Sequence, residues 1–109
     1  MKTLKFFPEL CEQILAGTKT TTWRLFDDKD LQIGDELVFV NKETLEQFGT
    51  GKITSLRTKT LRTLVESDWN GHERYASAKE MYATYRKYYG DRVTPDTEVK
   101  IINFDFIKN

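Results

Sequence analysis

The segment PELCEQILAGTKTTTWRLF, residues 8–26, changes its periodicity at one glycine, and that change constrains every fold the chain can adopt. Pro8 suits a first helical turn, where its missing N–H would have no partner, and Gly17 suits the position just past a helix end. Between them Leu10, Cys11, Ile14 and Leu15 recur at i, i+1, i+4, i+5, one apolar stripe for packing on a sheet. Beyond Gly17 the residues are β-branched or aromatic and alternate, so TTTWRLF predicts a strand. If that strand is regular, Thr20, Thr22 and Arg24 share one face while Thr21, Trp23 and Leu25 share the other. Trp23 then reads as a core residue. Cys11, on the helix stripe, reads as a small buried hydrophobe rather than a catalytic thiol.

The remaining elements follow from similar signals. TLKF (3–6) predicts a first strand, and LQIGDELVFV a Gly-Asp turn into a strand at 37–40 whose apolar run suggests burial on both faces. Residues 41–61 read as a hairpin or meander, with turn signals at Asn41-Lys42 and Gly49-Thr50-Gly51. TLRTLVESDW suggests a short helix and NGHERY a loop. SAKEMYATYRKYYG is a helix with a Ser77/Glu80 capping box, a Met81, Tyr85, Tyr88, Tyr89 face read as core, and Gly90 as its stop. EVKIINFDFI closes as a strand. No linker or internal repeat divides residues 1–109, so one α+β domain is expected: a small barrel with flanking helices, closure removing exposed edges.

Several chemistries lack their residues. The single histidine, His72, has no serine in a nucleophile-elbow context and reads as a solvated loop residue. One His and one Cys exclude a structural zinc site, no phosphate-binding glycine motif is present, and DDKD reads as a solvated turn. No metal and no cofactor are therefore expected. No apolar run reaches a membrane span, MKTLKFFPEL lacks a signal-peptide pattern, and the lone cysteine suits a reducing compartment. A cytoplasmic protein without a membrane partner is the expectation. Seventeen basic and seventeen acidic residues cancel, so any nucleic-acid binding must use a local patch. Lys52, Arg57, Lys59 and Arg62 form the one such cluster.

Lys19, Thr22 and Arg24 are the reactive types that remain. A threonine hydroxyl becomes a nucleophile once a base takes its proton, and a lysine serves as that base if burial or a nearby cation lowers its pKa. In a regular strand positions 19 and 22 face opposite ways, so they converge only if the chain turns or bulges near residues 18–20. A polar strand with a snorkelling lysine is the plainer reading of these residues alone.

ILAGTKTTTWR followed by LQIGDELVF resembles the signature of the ASCH domain, a small PUA-like β-barrel associated with RNA, over nearly the whole chain. The likeness is greatest to the bacterial N(4)-acetylcytidine amidohydrolases, whose corresponding stretch reads ILAG-x-KT-x-T-x-R. The resemblance implies a catalytic Lys19, Thr22 and a glutamate before the last helix. Glu73 fits that glutamate with one residue inserted, Glu66 and Glu80 being fallbacks, and Arg24 closes the motif as a substrate-binding residue. The implied reaction is removal of the acetyl group from a modified nucleoside, by attack of Thr22 or of water. Trp69, close to Glu73, is a candidate base-stacking residue or a packing residue under the loop. The alternative is RNA binding without chemistry, with Lys52, Arg57, Lys59 and Arg62 on phosphates.

Overall fold

Pro8 opens and Gly17 closes the first helix. In the computed structural model, which describes residues 1–109, helix α1 (Pro8–Ala16) follows strand β1 (Lys2–Phe6). Gly17 is left-handed, with φ 81°, and its N–H donates to Ile14 O at 3.1 Å. The N–H groups of Thr18 and Lys19 both reach back to Gln13 O, at 3.0 and 3.2 Å. This cap turns the chain over the helix end before β2 (Thr21–Leu25) begins. Lys19 thus precedes the strand, and the opposite-face rule for positions 19 and 22 does not govern it.

Strands β3 (Glu36–Asn41) and β4 (Gln47–Thr60) form a hairpin. In place of the short helix expected over 60–69 stand two 3-10 turns, Leu61–Thr63 and Glu66–Trp69, followed by α2 (Ala78–Tyr89) and β5 (Glu98–Lys108). The five strands lie in the order β1-β3-β4-β5-β2, with β1 parallel to β3 and the other neighbours antiparallel. The small α+β, PUA-like architecture expected from the sequence is therefore present, but as a curled half-barrel. The edge strands β1 and β2 share no ladder. What joins them is a side chain: Arg24 Nη2 donates to Lys5 O at 3.2 Å, and its guanidinium lies 4.8 Å from the Phe6 ring centroid.

Two apolar clusters occupy the two faces of the sheet. Leu4, Phe6, Cys11, Ile14, Leu37, Phe39, Ile53, Ile102 and Phe104 pack under α1. Trp23, Leu25, Met81, Tyr85, Val93, Val99 and Ile101 pack with α2. Alternate residues of β5 enter different clusters, so β5 is the strand buried on both faces, where the sequence suggested β3. In β3 only Leu37 and Phe39 are fully buried, and Val38 is half-buried. The α1 stripe is narrower than expected, since Leu15 is exposed. Asp27 of DDKD is not a solvated turn residue: its carboxylate accepts from Lys100 Nζ at 2.7 Å and from the Leu31 N–H at 2.8 Å.

The Gly49-Thr50-Gly51 signal also changes meaning. It lies inside β4, where the glycines make room for packing instead of turning the chain. A Cβ on Gly51 would fall 2.3 Å from Asp105 O and 2.8 Å from the Phe39 ring. Gly51→Ala is expected to lower stability by about 1–3 kcal/mol, the usual cost of overpacking, as a fall in the urea midpoint with little change in slope.

Candidate functional site

The α1 cap places Lys19 beneath a loop that arrives from far along the chain. Thr20 and Thr21 donate their N–H groups to Gly71 O, at 2.8 and 3.1 Å. Thr21 Oγ1 donates to Asn103 Oδ1 at 2.6 Å and lies 3.1 Å from Asn70 O. Gly71 is left-handed, with φ 75°, and a Cβ there would sit 2.1 Å from Thr20 Oγ1. Only glycine allows this approach, and it brings Glu73 onto Lys19.

Lys19 is 2% exposed. Its ammonium donates to Thr21 O at 2.7 Å and forms a salt bridge and hydrogen bond with Glu73 Oε1. It makes no hydrogen bond to Thr22, so the convergence expected from the sequence runs to the carboxylate instead. Burial pulls the Lys19 pKa below its ordinary value, Glu73 opposes this, and the Arg24 charge adds a smaller push downward. Burial acts to raise Glu73, but the neighbouring His72 and Lys19 outweigh it and hold the carboxyl below its ordinary value. Of the three glutamates considered, Glu73 alone meets Lys19. Glu66 pairs with Arg74 at the surface, and Glu80 accepts the Ala76 N–H while its own N–H donates to Ser77 Oγ.

His72 is not the solvated loop residue expected. It is 7% exposed and stacks on Trp23, ring centroids 3.9 Å apart. Its Nδ1 lies 2.7 Å from Glu73 O and its Nε2 3.5 Å from Tyr85 Oη, an arrangement suited to a neutral ring that donates through Nδ1. Burial and the Lys19 charge lower its pKa to about 4. No sequence signal marks this histidine, because its partners Trp23 and Tyr85 lie 49 and 13 residues away in the chain.

A cleft of about 210 Å³ opens at the seam between β1 and β2. Lys5, Phe6 and Phe7 form one wall, Thr22, Trp23 and Arg24 another, and His72, Glu73, Tyr85, Tyr88 and Tyr89 the rest, with Leu10 and Lys42 at the margin. Glu73, with 17% of its side chain exposed, thus presents the Lys19 pair to the cleft. Thr22 is buried in the wall, and its hydroxyl makes no hydrogen bond within the chain. Tyr88 and Tyr89, read as core, line the opening. Trp69 does not line it: it packs on Trp23 at 4.5 Å and faces a separate hollow with Leu64, Tyr75 and Met81.

The basic cluster on β4 and the turn after it is largely engaged by carboxylates. Asp68, its side chain 1% exposed, receives Arg57 on Oδ1 and Lys59 on Oδ2, both at 2.7 Å, and also accepts the Val65 N–H. Arg62 pairs with Asp96, and Lys52 stands in register with Asp105 and Glu36 on the neighbouring strands. The ion pairs and the Val65 N–H hold the Asp68 pKa down, against the effect of burial, at about 2. No group of three His, Cys, Asp or Glu side chains is arranged to hold a metal ion, and no helix is long and apolar enough to cross a membrane.

No protein-family model matches the chain, and neither does any curated protein sequence. Solved structures do. A crystal structure of an Enterococcus faecalis protein of the DUF984 family superposes with a TM-score of 0.81 at 14% identity, over 99% of this chain and 81% of that one. A crystal structure of a hypothetical protein gives 0.74 at 23% identity, over 98% and 100%. The ASCH domain from Lactobacillus crispatus gives 0.70 at 16% identity, over 99% and 81%. At these identities the likeness is one of fold: the chain is built as ASCH domains are.

Two outcomes follow for stability. Between pH 6.5 and about 4 the unfolded chain protonates His72 while the folded one resists. Stability should therefore fall with decreasing pH across that window, by up to about 1.4 kcal/mol per unit. His72→Phe, which keeps a ring on Trp23, should lack this slope in urea titrations at stepped pH. Asp68→Ala should cost about 2–3 kcal/mol by leaving the Val65 N–H and two cations without their acceptor, read as a lowered urea midpoint.

Proposed function

We propose that the protein is an amidohydrolase that removes the acetyl group from N(4)-acetylcytidine or a related modified nucleoside. The observation that supports this best is the buried Lys19–Glu73 pair with its carboxylate on a cleft that also holds the Thr22 hydroxyl. Amide hydrolysis requires a proton acceptor for the attacking oxygen and a proton donor for the departing nitrogen, and one carboxylate can perform both in turn. Glu73 takes the proton from the nucleophile, either Thr22 Oγ1 or water. The new C–O bond forms at the acetyl carbonyl. As the C–N bond breaks, Glu73 returns that proton to the exocyclic nitrogen, releasing cytidine. With water as nucleophile the other product is acetate. With Thr22 it is an acetyl ester that water then cleaves. Lys19, behind Glu73, keeps the carboxylate ionised between these steps and fixes its direction. Neutral His72 helps to orient Glu73, its Nδ1 lying 3.3 Å from the same Oε1 that pairs with Lys19. Phe6, Phe7, Tyr88 and Tyr89 offer rings to the base, and Arg24 a donor to the bound substrate.

Simple RNA binding along β4 is less well supported, since Asp68 and Asp96 already engage Arg57, Lys59 and Arg62. The deciding assay follows N(4)-acetylcytidine chromatographically. Wild type should release cytidine, and Glu73→Gln and Lys19→Met should each lower kcat by about 100-fold or more while circular dichroism shows them folded. Persistence of turnover in Thr22→Ala assigns the attack to water, and its loss assigns it to Thr22. A wild type no faster than Glu73→Gln overturns the proposal.

A further inference from the structure

The cleft contains more positive charge than hydrolysis of a neutral nucleoside requires. Lys5 on β1, Arg24 on β2 and Lys42 just after β3 all line it, and none has a carboxylate partner. Some cations elsewhere are matched even at the surface, Arg62 with Asp96 and Arg74 with Glu66. The only carboxylate on the cleft wall, Glu73, is already committed to Lys19. Arg24 is the most demanding of the three. Its Nε is buried with no hydrogen-bond partner, and its Nη2 meets only a backbone carbonyl, that of Lys5. A buried charged donor without an acceptor is costly, and an incoming oxyanion supplies one.

Contacts at the end of β1 place two of the three cations. The Lys42 N–H donates to Phe6 O at 2.8 Å, tying the turn after β3 to the end of β1. The Lys42 ammonium lies 4.9 Å from the Phe7 ring centroid, and the Arg24 guanidinium 4.8 Å from that of the adjacent Phe6. Arg24 and Lys42 therefore both lie against the phenylalanines that end β1 and follow it, and Lys5 lines the cleft from the same strand.

We infer that this side of the cleft is a phosphate-monoester subsite, so that the substrate is a nucleoside 5′-monophosphate rather than a free nucleoside. The inference rests on the nucleoside reading of the cleft. A single dianion suits three unpaired cations around one small hollow. A polynucleotide would need a cationic track leading away from it, and of the cations that could provide one Arg57 and Lys59 are held by Asp68 and Arg62 by Asp96.

The test compares cytidine, cytidine 5′-monophosphate and inorganic phosphate as ligands of wild type and of the Lys5→Gln/Lys42→Gln double variant, by calorimetry and by amide NMR shifts. Both substitutions fall on exposed side chains, and an unchanged thermal midpoint verifies the fold. The monophosphate should bind wild type about tenfold or more tightly than cytidine, with the ratio falling toward one in the double variant and in high salt. Equal binding of the two overturns the phosphate subsite while the nucleoside reading stands. If neither binds but inorganic phosphate shifts the Lys5, Arg24 and Lys42 amides in wild type alone, the subsite stands and the nucleoside reading fails. Binding of a cytidine-containing oligonucleotide without binding of the monophosphate overturns the assignment in favour of a strand.

Discussion

An ammonium group buried as deeply as that of Lys19 forfeits its hydration, at an effective cost of several kcal/mol, and is tolerable only beside a well-placed counter-charge. Here the counter-charge comes from Glu73, and much of the local structure exists to deliver it. The left-handed Gly17 folds the chain back over α1 so that Lys19 points inward. The left-handed Gly71 allows the second segment to approach Thr20 and Thr21 closely enough to share a carbonyl. Asn103 on β5 fixes Thr21, whose own carbonyl takes a second hydrogen bond from the ammonium. The charge pair and the Thr21–Asn103 hydrogen bond beside it join three segments that are remote in the chain.

The open seam has a comparable role. Had β1 and β2 paired, their backbone groups would have filled the space the cleft occupies. Arg24 spans the gap with one hydrogen bond and one aromatic contact, which joins the edges while leaving them apart. The same residue thereby serves as brace and as unspent donor. The aromatic residues that flank it, Phe6 from the last position of β1 and Tyr89 from the last of α2, are brought there by element ends rather than by element faces. That explains why a periodicity argument assigned the helix tyrosines to the core. Tyr85 obeys the period and is buried, whereas Tyr88 is exposed and Tyr89 is half-buried at the edge of the same cluster.

Much was legible in order of residues and little in depth. Pro8 and Gly17, Ser77 and Gly90, and the alternation in residues 98–108 announce their elements because caps and periods act within a few residues. Lys19 stands out by residue type, but Glu73 is legible only through a family resemblance, since no local rule links positions so far apart. Gly49 and Gly51 show the opposite limit: a glycine pair has the same appearance whether it turns a strand or admits a neighbour's ring. His72 was misread because burial of a loop histidine depends on Trp23 and Tyr85, which the fold supplies. Arg57, Lys59 and Arg62 were legible as charges but not as partners, because the acids that neutralise them follow in turns whose course the sequence left open.

The position of β5 has a temporal consequence. It is the last of these elements to be synthesised, yet it is the only ladder partner of β2 and the strand that both cores share. Until it emerges from the ribosome, β2 has nothing to pair with, Thr21 lacks Asn103, and one wall of the cleft is unsupported. The β1–β3–β4 portion can begin to associate earlier, but the half-barrel is completed by contacts between residues about eighty positions apart. Such non-local closure slows folding and leaves the threonine-rich strand waiting, so assembly of the reactive groups is deferred until synthesis has passed residue 108.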